Sequence, residues 1–192
     1  NTQGADAVRW FFYNNAAPWM PNRFHAKAID ETTRKYMGTL WNTYAFFILY
    51  AEIDQFNPKE HPLDKAELTL MDRWILSRLN SLVREVDDDL NEYKIFEASR
   101  AMTDFVDDLS NWYVRRSRER FWGKGMAGDK EAAFATLYHV LETMSRLTAP
   151  FTPFMAENMY RNLVCSVDKD APISVHMTDF PVCDETYISA EL

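Results

Sequence analysis

The chain has 192 residues, of which 47% are hydrophobic and 26% are charged, a balance that is typical of a folded domain and excludes global disorder. Its 5 glycines and 8 prolines are too few for a turn-rich all-β fold, and its 2 cysteines cannot form a disulfide scaffold or a four-cysteine zinc site. The net charge of −8 disfavours nucleic-acid binding over the whole surface, but such a sum does not describe a local basic patch. No apolar run reaches the ~18 residues of a membrane span, and no signal-peptide pattern opens the chain. We therefore expect a soluble, cytoplasmic protein with no membrane partner.

Apolar residues recur every three or four positions through most of the chain, which is the spacing of helices buried on one face. The helices predicted from this pattern span 5–14, 24–54, 70–93, 95–122, 129–148 and 153–164. Thr69 and Asp72 are the expected N-cap and first-turn acid of the helix 70–93, and Thr152 with Pro153 is expected to begin the last helix. The alternating run 173–177 predicts a short strand or an extended arm. The sequence thus predicts an all-α bundle over 1–164 and an extended C-terminal tail over 165–192, with both ends cut from a longer chain.

The one concentrated cationic feature is the run 115–120, which holds four arginines between aromatic residues. On a regular α-helix, which turns 100° per residue, Arg116 and Arg120 continue the apolar stripe that reaches Trp112, whereas Arg115 and Arg118 face outward. The functional interpretation is a patch that contacts phosphates and stacks on unpaired bases. The structural interpretation is stabilisation of the helix C-terminus together with ion pairs inside the bundle. Spacing alone favours the structural interpretation.

The sequence shows no pattern that predicts catalysis or metal binding. The acidic runs 87–89 and 107–108 diverge by 100° per residue on a helix, so they predict a solvated face. The four histidines are scattered, and none has the i, i+4 partner of a helical metal site. A glycine-rich phosphate loop, a nucleophile elbow and a catalytic triad pattern are all missing.

Several segments together resemble the isoleucyl-tRNA synthetase family, and they follow one another in that family's order. The most specific is Asn-Trp-Tyr-Val-Arg-Arg-Ser-Arg at 111–118, followed by Arg-Phe-Trp at 120–122. Ala-Pro-Phe-Thr-Pro-Phe at 149–154 is nearly as specific. Further matching segments are 4–10, 40–43, 72–77, 174–177 and 179–181.

The resemblance implies the helical anticodon-binding domain of a class I aminoacyl-tRNA synthetase. The implied partners are isoleucine tRNA and the catalytic domain of the same parent chain, and a monomer is expected. The HIGH and KMSKS signatures of the family are missing here. The resemblance therefore implies no cofactor for this fragment, and assigns ATP, magnesium and the isoleucine–tRNA ligase reaction to the parent.

Site residues follow from the resemblance together with the helix geometry. RNA contacts are assigned to Arg115, Arg118, Trp122 and Lys124, and a structural or interdomain role to Arg116 and Arg120. Two alternatives remain open at this point. They are the same domain of a valyl-tRNA synthetase, and a helical protein-interaction module that binds no RNA.

Overall fold

The computed structural model describes residues 3–126, 128–189 and 191. Its helices are α1 (Ala5–Asn14), α2 (Ala26–Thr33), α3 (Thr39–Ile53), α4 (Leu70–Asn91), α5 (Ile95–Asp107), α6 (Arg115–Trp122), α7 (Asp129–Thr148) and α8 (Pro153–Tyr160). Three π-helical turns continue these helices: Arg34–Gly38 joins α2 to α3, Asp108–Val114 joins α5 to α6, and Arg161–Cys165 extends α8. None of the described residues lies in a strand, so the predicted all-α bundle is confirmed. None of the described helices is long and apolar enough to cross a membrane.

Helix α7 is the centre of the bundle, and α3, α4, α6 and α8 all pack against it. Its predicted inward residues Phe134, Leu137, Leu141 and Met144 are fully buried. A helix that is apolar on most of its circumference must be enclosed by neighbours, which explains why α7 lies inside.

The N-terminus of α4 is closed by the predicted pair of Thr69 and Asp72. The Asp72 backbone N–H donates to Thr69 Oγ1 at 3.3 Å, and the Thr69 backbone N–H donates to Asp72 Oδ2 at 2.9 Å. This reciprocal capping box satisfies two N–H groups that would otherwise lack partners. It also fixes the Asp72 carboxylate at the end of α4.

The N-terminus of α8 is capped from another helix. Thr152 occupies the predicted N-cap position, but its hydroxyl lies 2.9 Å from that of Thr148 and caps nothing. The carboxylate of Asp6, in α1, instead accepts the backbone N–H groups of Phe154 at 3.4 Å and Met155 at 2.7 Å. The helix therefore begins at the predicted pair, with Thr152 as N-cap and Pro153 in the first turn, while the side-chain acceptor for its free N–H groups comes from α1.

The C-terminal tail is an arm with short 3-10 turns. The Ser174 backbone is extended, and Val175–Met177 then forms a 3-10 turn. Glu157 Oε2 accepts both the Ser174 hydroxyl and the Val175 backbone N–H at 2.9 Å. The strand alternative is therefore wrong for this segment, because a side chain of α8 takes the N–H group that a neighbouring strand would need.

Candidate nucleic-acid interface

The π-helical turn Asp108–Val114 shifts the buried face of α6 by one residue. Leu109, near the start of this turn, is buried as predicted, but the buried positions that follow are Tyr113, Val114, Ser117 and Phe121. A regular α-helix would have placed 112, 116 and 120 there. A turn with i→i+5 hydrogen bonds accommodates one extra residue. Each later side chain is therefore rotated about the helix axis relative to its position in a regular α-helix.

Two predictions about the buried stripe are wrong for this reason. Trp112 is 48% exposed, and Arg116 is exposed as well. Arg115 and Arg118 are exposed, as predicted. The run 115–118 therefore presents three arginines to solvent, whereas regular geometry had given two.

Arg120 reaches across the bundle to α4. Its Nη2 and Nη1 donate to Asp72 Oδ2 and Oδ1 at 2.7 and 2.8 Å, and its Nε donates to Asp129 Oδ1 at 2.7 Å. The Tyr113 hydroxyl donates to Asp72 Oδ1 at 2.6 Å. The Asp72 side chain is 0% exposed and that of Arg120 is 13% exposed. This bidentate pair ties α6 to the N-termini of both α4 and α7.

The pKa shifts in this network keep the pair charged. Burial alone would raise the pKa of Asp72, but hydrogen bonds from Arg120, Tyr113 and Thr69 outweigh it and hold that pKa below its usual value. Burial would likewise lower the pKa of Arg120, and the hydrogen bonds to Asp72 reverse the direction. Burial, together with the neighbouring Asp72 charge, raises the pKa of Tyr113 well above its usual value. The network is thus a buried, charged pair that holds α6 in place beneath its exposed arginines.

Arg118 and Trp122 lie on the side of α6 that faces α3. The Arg118 Cζ atom is 6.0 Å from the centroid of the Phe46 ring. Trp122 is 56% exposed, and its Nε1 donates to the Tyr50 hydroxyl at 2.8 Å. The hydrogen bond holds one edge of the indole, so that a large part of the ring stays open to solvent.

Lys124 is exposed in the loop that follows α6. The loop is fastened by Lys130, whose Nζ donates to the Gly123 carbonyl at 2.6 Å and pairs with Asp54 at 2.7 Å. Gly125 has a φ of +78°, a conformation that favours glycine. The structure therefore places Lys124 just beyond Trp122, on a short and anchored turn.

Arg116 of α6 and Trp112 of the preceding π-helical turn lie on the other side of this continuous helix, facing α4. The Arg116 Cζ atom is 4.4 Å from the centroid of the Trp112 ring. Both side chains line a groove with Leu70, Met71 and Trp74 of α4. The apolar spacing in the sequence did not predict this groove. A signal was available, because Leu70 and Trp74 are an i, i+4 pair that lies off the buried stripe of α4.

The exposed arginines of α6 lie within one short segment of the chain and have no acidic partner among the described residues. Arg115, Arg116 and Arg118 form no ion pair with any described residue, whereas nearby Arg78 is paired with Asp108 at 2.9 Å. In a chain with a net charge of −8, acids are abundant enough to pair with these groups. Three exposed guanidinium groups without carboxylate partners on one short helix are suited to binding an external anion such as phosphate.

The chain is similar to known proteins in family, in sequence and in fold. The family model for the anticodon-binding domain of tRNA ligase matches residues 72–192. Isoleucine–tRNA ligases of Clostridium novyi and Dehalococcoides mccartyi are each 53% identical to this chain over 99% and 98% of its length, and that of Bacteroides fragilis is 47% identical over 98%. The chain spans only 17–18% of the length of these relatives.

A solved ternary complex of Agrobacterium radiobacter K84 agnB2 LeuRS with tRNA and LeuAMS has a similar fold. The TM-score is 0.68 at 19% identity, and the match covers 99% of this chain and 21% of that one. At that identity the likeness concerns the fold alone.

Proposed function

Because this chain belongs to the anticodon-binding domains of tRNA ligases, we propose that it binds the anticodon arm of an isoleucine tRNA. The observation that carries the proposal is the exposed ridge of α6, where Arg115, Arg116 and Arg118 lie without carboxylate partners between Trp112 and Trp122. Guanidinium groups bind phosphates, and exposed indoles stack on unpaired bases. An anticodon loop offers both kinds of group within a few nucleotides.

The mechanism assigned to the domain is recognition at a distance from the chemistry. Contacts at the anticodon end would orient the tRNA, so that its acceptor end reaches a catalytic domain elsewhere in the parent chain. The same contacts would discriminate among tRNAs, because polar groups left unpaired by the wrong nucleotides cost free energy. The 47–53% identity to isoleucine–tRNA ligases supports isoleucine tRNA over the alternative partner, valine tRNA.

The chemical step is assigned to the rest of the parent. Within residues 3–126, 128–189 and 191, no three His, Cys, Asp or Glu side chains lie close enough to hold a metal ion. We propose that ATP, magnesium and the attachment of isoleucine belong to the catalytic domain of the parent. The parent is expected to act as a monomer in the cytoplasm.

Titration of isoleucine tRNA with this chain at several salt concentrations tests the proposal. Replacing Arg115 and Arg118 together with alanine should weaken binding and reduce the salt slope by roughly 0.7–0.9 for each phosphate that the variant no longer binds. The matched control is the double alanine variant of Arg23 and Lys27, which removes the same charge from an exposed segment outside α6.

The two variants together decide between RNA recognition and mere charge. If both double variants weaken tRNA binding equally, the arginines of α6 contribute only through the overall charge of the protein. Tight tRNA binding that neither variant changes at any salt concentration would overturn the proposed site. No tRNA binding by the unmodified chain would favour the protein-interaction module instead.

A further inference from the structure

The groove between α4 and α6 is an apolar surface with one cationic edge. Leu70, Met71 and Trp74 form its α4 wall, and Trp112 with Arg116 forms its α6 wall. Leu70 and Trp112 are both exposed, so two large apolar side chains meet solvent in one place. Burying them against a ligand would be favourable, at about 25 cal/mol for each Å² of apolar surface removed from water.

Arg116 gives the groove its chemical character. Its guanidinium lies over the Trp112 ring at 4.4 Å and pairs with no described carboxylate. A guanidinium that is stacked on an indole presents its second flat face outward. That face accepts a further planar ring, as in the recognition of unpaired bases by arginine planes.

Two acidic residues also line the groove, and one of them is already paired with a cation of the protein. Asp108 is already neutralised by Arg78, whose Nη2 and Nε lie 2.9 and 3.2 Å from its Oδ2. Glu191 is exposed at the rim. A carboxylate at such a position accepts a hydrogen bond from an exocyclic amino group, a donor that adenine, cytosine and guanine carry.

We propose that this groove holds one unpaired base of the tRNA anticodon loop, stacked on the open face of the Arg116 guanidinium, with Trp112 behind that guanidinium and Trp74 on the α4 wall beside the base. The inference rests on the proposed function and adds a base-binding position to it. Phosphate contacts lie on the α3 side of α6, near Arg118 and Trp122, whereas the base enters on the α4 side. A polypeptide segment is the less suitable occupant, because a flat cationic wall without a carboxylate partner matches a nucleotide better than an apolar helix.

Substitution of Arg116 by lysine separates stacking from charge. Arg116→Lys keeps the positive charge and removes the plane, so it should weaken binding of the isoleucine anticodon stem-loop about 5- to 150-fold, the range of one base stack, without changing the salt slope. Trp112→Leu keeps an apolar side chain and should weaken binding over the same range. Arg100→Lys is the matched control, since Arg100 lies 6.0 Å from the Phe96 ring in another exposed cation–π pair.

A coupling experiment identifies the base. Each loop nucleotide of the stem-loop is replaced in turn by an abasic one, and binding is measured with the unmodified chain and with Arg116→Lys. If the groove holds one base, a single abasic position should make the two proteins bind equally, because the stack is already absent. The inference is overturned if Arg116→Lys binds more weakly than the unmodified chain by the same factor for every abasic stem-loop. It is also overturned if Arg116→Lys binds the intact stem-loop as tightly as the unmodified chain does.

The outcomes distinguish this inference from the proposed function. If the Arg115/Arg118 double alanine variant fails to bind while Arg116→Lys and Trp112→Leu bind normally, the α3 side binds RNA and the groove holds no base. The groove would then be left to a polypeptide. If the unmodified chain does not bind the stem-loop at all, both proposals fail together. Thermal melts of Arg116→Lys and Trp112→Leu should match the unmodified chain, since both side chains are exposed.

Discussion

Removing the guanidinium of Arg120 should destabilise the bundle, although the residue belongs to an arginine run that is otherwise exposed. In the variant Arg120→Met, the Asp72 carboxylate would keep its hydrogen bonds from Tyr113 and Thr69 but lose its ion pair with Arg120. Breaking a buried pair by removing one partner costs about 3–5 kcal/mol. The free energy of unfolding of such a domain is about 5–15 kcal/mol, so this loss is a large fraction of the total stability.

Thermal and urea denaturation measure this effect directly. At about 2–4 °C for each kcal/mol in a chain of this length, the Tm should fall by roughly 6–20 °C. Arg116→Met is the matched control, because Arg116 is in the same helix but is exposed and should change stability by no more than about 0.5 kcal/mol. A Tm of Arg120→Met within about 2 °C of the unmodified chain, or an equal drop for Arg116→Met, would refute the assignment of the buried pair.

The pH dependence of the same variant gives an independent check. The folded pKa of Asp72 lies below its unfolded value, so the pair stabilises the fold fully above the unfolded pKa of about 3.9. The contribution is lost as the pH falls from there toward the lower folded pKa. The difference in stability between the unmodified chain and Arg120→Met should therefore be large at pH 7 and shrink below about pH 4. A difference that grows with acidification would contradict this sign.

Three further substitutions test other parts of the fold, each by urea denaturation. Asp6→Ala removes the cap that accepts the Met155 backbone N–H at 2.7 Å and should cost about 0.5–2 kcal/mol, whereas no loss would mean that water caps α8 equally well. Lys130→Met leaves Asp54 without its partner at 2.7 Å and should cost about 1–3 kcal/mol; an unchanged midpoint would show that solvent already screens the pair. Gly128→Ala should cost about 1–2 kcal/mol, since the φ of +58° disfavours any Cβ, and a stabilised variant would show that this turn relaxes easily.

The sequence alone predicted six helices, five of which begin at the predicted residue, because their start signals are local. Thr69 and Asp72 are three residues apart and form the predicted capping box. The apolar spacing of α4 and α7 identified the residues that are now buried, since a 3.6-residue period has one buried face whatever the neighbours are. The family was also evident from sequence, because its motifs are contiguous.

Only the tertiary structure decided which arginine lies inside. A projection at 100° per residue gave Arg116 and Arg120 the same inward direction, and the π-helical turn Asp108–Val114 then moved the buried face to Tyr113 and Phe121. Such a turn has no reliable signature in one sequence, because the packing of neighbouring helices selects it. The partner of Arg120 is 48 residues away along the chain, and the α4 wall beside Arg116 is similarly distant. Local patterns determine which faces of helices are apolar, but contacts between distant segments determine which charge is buried and which remains free to bind.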